Sequence, residues 1–257
     1  MQVAELPNTK EVSALNVRIK FAKHGSMKFI GHLDIMRFFQ KAIIRAGLDI
    51  AYSEGYNPHQ IMSFAQPLSV GVVSDGEYMD ITLKSASSSA DIVNRLNDVS
   101  VEGIKVLDCK LLPEKAKNSM SIIEAAKYAV YEKNGMNMLS DIDCLNEKIR
   151  SFLNKDSIII SKKTKKSETE LDLKPLIYDF KAEKITVEDE DVHDQNALIF
   201  TVSAGSVANI KPDHILNAFF NEYGMEYNEI DYQVFRIDMY AKENDNFISL
   251  NDLGDTF

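Results

Sequence analysis

Residues Asn16 to Ala22 read NVRIKFA, and this short stretch decides the fold. Val17, Ile19 and Phe21 alternate with Arg18 and Lys20, the period-two pattern of a strand with one buried face. A second alternating stretch, EYMDITL from Glu77 to Leu83, sends Met79, Ile81 and Leu83 to one side and Tyr78, Asp80 and Thr82 to the other. Between the two the sequence predicts a helix. Gly31 serves as its N-cap with Asp34 three residues on, Leu33, Met36, Ile43 and Ile44 form the inner face, and Gly47 stops the run. Gln60 to Ala65 adds a short strand, a serine cap at Ser87 to Ser89 opens a helix to about Val99, and Ile104 to Leu111 is the next strand. The predicted order is βαββαβ.

The second half repeats that order less clearly. Ala126 to Glu132 reads as a strand, Asp141 to Asn154 as a helix with Ile142, Leu145, Ile149 and Phe152 inward, and Ser157 to Ile160 as the start of a strand. Leu198 to Ser203 is another strand, Pro212 to Tyr223 a helix with proline in its first turn, and Tyr232 to Tyr240 the last strand. The expectation is therefore an α+β chain of two tandem ferredoxin-like (βαββαβ) units, the second diverged, with helices covering one face of each sheet. The units span 16–112 and 123–241, leaving 1–15 and 242–257 as loose termini. KKTKK at Lys162 to Lys166 and VEDEDVHD at Val187 to Asp194 are expected to be solvated hairpin tips or loops.

Composition excludes some function classes. A net charge of -10 argues against a wholesale electrostatic grip on nucleic acid or acidic lipid, although a local basic patch remains compatible with it. No stretch approaches the roughly 20 apolar residues that span a bilayer, and MQVAELPNTKEVSALN lacks a signal-peptide layout, so a cytoplasmic location is expected. Cys109 and Cys144 are the only cysteines, which excludes a disulfide framework and a cysteine-rich metal site built by this chain alone; both are expected to be buried. Glycine-rich phosphate loops and a GxSxG nucleophile turn are missing, and no cofactor is expected.

The chemistry concentrates in the first sixty residues. Arg37, Lys41 and Arg45 recur every four residues and form one basic stripe along the predicted helix, a spacing suited to phosphate contacts. Lys20, Lys23, His24 and Lys28 add to this basic end of an acidic protein. The connection that follows, AYSEGYNPHQIMSFAQPLSVG from Ala51, is longer than an ordinary loop and rich in turn formers. Tyr52, Tyr56, Asn57 and His59 within it are candidates for contact with RNA or a partner. Were this connection to fold over the helix start, His32, Asp34, Glu54 and His59 would converge as candidate metal ligands, with His32 and His59 as candidate base and acid. A structural role for each histidine is the simpler alternative. His193 and His214 stand alone and receive no role.

Residues 21–83, and within them HLD from His32, YSEGYNPH from Tyr52, the Pro67-Leu68 pair and the Glu77-Tyr78-x-Asp80 strand, resemble the bacterial radical-SAM-linked protein family. Members of that family are encoded beside, or fused to, a radical SAM protein. Gly31 stands where serine is usual and Ile44 where a second basic residue is common, which weakens the helix cap and trims the basic stripe. The resemblance implies an accessory role with a radical SAM partner, and RNA as the natural substrate. This chain carries no CxxxCxxC, so it cannot by itself hold the cluster of such an enzyme. The order of elements also resembles the duplicated ferredoxin-like endoribonucleases that process CRISPR repeats. Three functions are accordingly expected in turn: an RNA-binding or substrate-presenting partner of a radical SAM enzyme, a metal- or histidine-dependent hydrolase, and a purely protein-binding module.

Overall fold

The computed structural model describes residues 14–133, 138–163, 168–188, 192–206 and 208–257. Its first half runs β1 (Leu15–Lys23), α1 (His32–Arg45), β2 (Asp49–Ile50), β3 (Met62–Phe64), β4 (Val73–Ser85), α2 (Ser89–Asp98) and β5 (Ile104–Leu111). A short α3 (Ser119–Ile122) leads to β6 (Ala125–Glu132), α4 (Ile142–Leu153), the β7–β8 hairpin (Ile159–Lys163, Glu168–Asp172), β9 (Ile177–Glu188), β10 (Val192–Ser203), α5 (Pro212–Glu222), β11 (Tyr232–Glu243) and β12 (Asn246–Ser249). The result is a mixed α/β fold with few helices and one large mixed sheet. Among the described residues the sheet has ten strands, in the order β5-β1-β4-β11-β6-β10-β9, with β2 and β3 beside β4 and β12 beside β11.

The alternation in NVRIKFA sets the register. Val17 lies opposite Ile81 and Ile19 opposite Met79, so their apolar side chains share a face, while Arg18 opposite Asp80 and Lys20 opposite Tyr78 share the other. The apolar face receives Ile35, Phe39 and Ile43 of α1 and Ile92 and Leu96 of α2 in one core. Each such large side chain fully buried contributes roughly 1.5–3 kcal/mol. A second core packs Leu145, Ile149 and Phe152 of α4 and Phe219 and Phe220 of α5 against Tyr128, Leu198 and Phe200, and takes in Tyr78 and Leu250.

The two parts of the sheet meet along β4 and β11, which pair in parallel through Val73–Phe235 and Ser74–Arg236. Gly76 makes the crossing possible. A Cβ there would lie 2.5 Å from the Asp238 Cα, so any larger residue would push β4 off β11.

Several expectations are corrected. Leu33 and Ile44 are exposed rather than inward; the buried residues of α1 are Ile35, Phe39, Ala42 and Ile43. At 3.6 residues per turn Leu33 and Ile44 fall beside Arg37, across the helix from Phe39, so choosing them by hydrophobicity alone rotates the helix. Cys144 is also exposed, whereas Cys109 is buried.

Residues 242–257, expected to be loose, are bound to the fold. Leu250 is fully buried, Leu111 and Asp255 exchange backbone hydrogen bonds at 2.8 and 2.9 Å, and Ser89 N–H donates to the Phe257 carbonyl at 2.8 Å. The acidic residues here point to water while Phe247, Leu250 and Phe257 do the packing, a split that net charge conceals. Of the 1–15 segment, 1–13 lie outside the described residues and Leu15 already belongs to β1. Of KKTKK and VEDEDVHD the described residues lie in strands that end or begin hairpin arms: Lys162 and Lys163 close β7, Val187 and Glu188 close β9, and Val192 to Asp194 open β10; the rest fall outside the described residues.

Candidate functional site

The connection after α1 is a built hairpin. Tyr52 and Gln60 form a β-bridge, Ser53 N–H donates to the His59 carbonyl at 2.8 Å, and Ile61 N–H donates to the Ala51 carbonyl at 2.9 Å. The Ser53 hydroxyl lies 2.8 Å from His59 Nδ1 and accepts the His59 backbone N–H at 3.1 Å, closing the neck of the loop. Gln60 then donates from its side chain to the Gln40 carbonyl at 3.0 Å, which ties the hairpin base to α1. Glu54, Tyr56, Asn57 and Pro58 are left at a solvated tip, with Tyr56 as exposed as a side chain can be and Tyr52 45% exposed. Gly55 sits at φ +110°, a conformation that an L side chain resists, so the tip turns there.

Arg37, Lys41 and Arg45 are exposed on the outer face of α1. Arg37 makes a solvated pair with Asp34 at 3.1 Å, Arg45 donates to the Val99 carbonyl at 3.0 Å, and Lys41 has no partner among the described residues. Leu33 and Ile44, both more than 60% exposed, lie beside the stripe on the Arg37 side, and Phe29 adds an exposed ring before the helix. Side chains of this kind are cheap to desolvate on binding.

The rest of the basic end turns inward. Lys20 reaches Asp238 at 3.4 Å, Lys28 donates to Gln233 Oε1 at 3.0 Å, and Lys23, 3% exposed, donates to the Ile30 carbonyl at 2.7 Å. Burial pushes the Lys23 ammonium below its ordinary pKa. Lys20 thus joins a buried polar seam. There Arg18 grips Asp80 through two bonds of 2.8 and 3.0 Å, Arg236 holds Glu77 from Nε at 2.9 Å, and the Tyr78 hydroxyl donates to Asp238. Burial and the Asp238 carboxylate together push the Tyr78 pKa far above its ordinary value. These groups weld the two parts of the sheet and leave no charge free for a ligand.

The structure does not bring the four candidate metal ligands together. His32 packs edge-on to Phe64 with ring centroids 5.2 Å apart, His59 serves the hairpin neck, Asp34 pairs with Arg37, and Glu54 sits at the tip. Among the described residues no group of three or more His, Cys, Asp or Glu side chains is placed to hold a metal.

One feature escaped the sequence. His24 Nε2 lies 2.6 Å from Asp75 Oδ1 at the wall of a cleft of about 540 Å³. The partners are fifty-one positions apart, and only the pairing of β1 with β4 brings them together.

A family model described as "Uncharacterized protein conserved in bacteria (DUF2344)" matches residues 16–212. The chain belongs to the DUF2344 family. No curated protein matches this DUF2344 chain. Among solved structures, an unknown protein from Galdieria sulphuraria is 10% identical, with 90% of this chain and 100% of that one covered, at a TM-score of 0.24. A CRISPR associated protein Cas6 is also 10% identical, with 88% of this chain and 100% of that one covered, at a TM-score of 0.21. Neither likeness bears on fold or activity at these scores. No helix of the described residues is long and apolar enough to cross a membrane.

Proposed function

We propose that this DUF2344 protein is a non-catalytic RNA-binding partner of a radical SAM enzyme, presenting RNA for modification or processing in the bacterial cytoplasm. The observation that carries the proposal is the stapled hairpin with Tyr52 and Tyr56 exposed, tied at Gln60 to the helix that bears Arg37, Lys41 and Arg45. Single-stranded RNA is commonly held by aromatic faces for its bases and cations for its phosphates. Asn57 and His59 flank the tip as hydrogen-bonding groups, while Lys20 is left out of the contact set because it faces Asp238.

Behind this surface we read two ferredoxin-like units, 16–112 and 123–241. The strand orders β5-β1-β4-β3 and β11-β6-β10-β9, antiparallel throughout, support that division.

The test is binding to labelled cellular RNA across a salt series, with the Arg37, Lys41 and Arg45 triple glutamate variant alongside. Binding that weakens steeply with salt and disappears in the variant is the expected result. Equal binding by both proteins, or none by either, overturns the proposal.

Leu33 and Ile44 exposed beside the cations favour a second reading, in which the same face docks the radical SAM protein itself. That reading predicts a complex that survives nuclease treatment and is lost in a Leu33→Asp, Ile44→Asp variant. A hydrolase built on His32 and His59 has no comparable support, since each ring is engaged by a neighbour.

A further inference from the structure

We propose that the cleft at His24 and Asp75 binds a nucleoside: a planar, neutral heterocycle carrying a sugar. Its volume of about 540 Å³ falls within the range of small-molecule sites, and its lining has their usual make-up, apolar walls with a few converging polar groups. Phe235 on β11 and Tyr131 on β6 provide the aromatic surface. They lie on neighbouring strands, where Gln233 faces Tyr131 and Phe235 faces Ala129, so the two rings are diagonal neighbours on one face of the sheet. Phe235 is half-buried and lines the cleft.

His24 supplies the hydrogen bond. Asp75 engages Nε2, which leaves Nδ1 without a partner among the described residues, and the imidazole stands 6.1 Å from the Phe235 ring, centroid to centroid. A flat ring resting on Phe235 therefore meets the imidazole at its edge. The position of His24 is itself fixed by design of the backbone. Its N–H donates to the Gly103 carbonyl at 2.8 Å, and Gly103, at φ +84°, would carry any Cβ only 2.6 Å from the His24 carbonyl oxygen.

Charge selects the ligand class. Among the described lining residues Lys105 is the only lysine or arginine, Asp75 lines the same cleft, and Thr186 on another wall donates to the Asp194 carboxylate at 3.0 Å. A polyphosphate would find one lysine, the Asp75 carboxylate in the wall and the Asp194 carboxylate behind Thr186, so the site suits a nucleoside and not a nucleoside triphosphate.

Isothermal titration and saturation-transfer NMR with adenosine, guanosine, cytidine and uridine, with ATP as the charged comparison, test the proposal on the full chain. At least one nucleoside is expected to bind saturably and more tightly than ATP. His24→Gln should weaken it on the order of fivefold or more by taking the hydrogen-bonding atom away from the position that the ring Nδ1 holds. Leu107→Trp, at an exposed edge position of the same cleft, should block it by filling space without touching the core. Competition with a single-stranded RNA oligonucleotide assigns the source, displacement meaning an extruded base of a strand and no displacement a free nucleoside; both results support the site. The inference is independent of the surface on α1, because nucleoside binding is expected to persist in the triple glutamate variant. No saturable binding of any nucleoside up to about 10 mM, or binding unchanged in both His24→Gln and Leu107→Trp, overturns it.

Discussion

Arg18 and Arg236 are 1% exposed, whereas Arg37 is 67% exposed on its side chain, and the contrast between these two sets of cations separates structure from function in this molecule. The buried pair sits where strand register delivers a carboxylate: Arg18 is directly opposite Asp80, and Arg236 meets Glu77 where β4 passes β11. No carboxylate is delivered by the fold to the helical set, in which Arg45 reaches only a backbone carbonyl, that of Val99, at 3.0 Å. Arg37 finds only a solvated aspartate one turn away, and Lys41 finds nothing among the described residues. A cation whose partner is supplied by the fold is spent on the fold, and one whose partner is left to solvent is available to a ligand.

The contrast is sharpest under mutation. Asp80→Ala or Glu77→Ala leaves a buried guanidinium unpaired and is expected to cost about 3–5 kcal/mol of stability. Chemical denaturation measures it, and a loss below about 1 kcal/mol would put these pairs in the solvated class.

Alkaline pH probes the same seam. Tyr78 has its pKa raised by burial and by Asp238, and Tyr240, raised by burial first and Asp238 next, is pushed up to about 12. Both rings hold their proton in the folded protein beyond the ordinary value of 10.0, at which the unfolded chain releases it. Their contribution to stability is therefore complete below pH 10 and is lost as pH rises through the raised values. Thermal melts from about pH 8 to pH 11 should show this fall, and Tyr78→Phe should flatten it.

On the exposed side the order of effects reverses. Tyr56→Ala should weaken RNA binding by about 1–3 kcal/mol, the range for one stacked base, with no change in melting temperature. Ser53→Ala removes the hydroxyl that closes the hairpin neck, which should cost about 1 kcal/mol locally and appear as faster amide exchange at Ser53 to Ile61. The Arg37, Lys41 and Arg45 triple glutamate variant should alter stability by only about 0.5 kcal/mol per site. If it unfolds the protein, the stripe belongs with the seam.

Alternation over seven residues, as in NVRIKFA and EYMDITL, has a single geometric meaning and made those strands legible, whereas β8, β9 and β12 escaped, β9 because Ile177–Glu188 carries charges among its apolar residues. The ion pair of Arg18 with Asp80 followed from the same alternation once those two strands were neighbours. The rotation of α1 was not legible, since Leu33 and Ile44 are as hydrophobic as Ile35 and Ile43 and only the presence of Phe39 and Ala42 on the buried side resolves the face. The docked C-terminus was hidden because its apolar residues are interleaved with acidic and turn-forming ones and show no strand or helix period. The His24–Asp75 pair is set by a β-bulge near the end of β1, where the register shifts between Phe21 and Lys23, and no local pattern announces such a shift. Of the candidate site residues, the exposed stripe and the tyrosines followed from spacing and turn chemistry, whereas convergence of His32 with His59 needed a loop path that hydrogen bonding at Ser53 and Gln60 does not take.

The most direct test of the central claim is ultraviolet cross-linking of the intact protein to single-stranded RNA, followed by mass spectrometry of the joined peptides. Cross-links at Tyr56 and Tyr52, with others on α1, are the predicted result. Cross-links confined to other surfaces, with the hairpin and α1 untouched, would contradict the account.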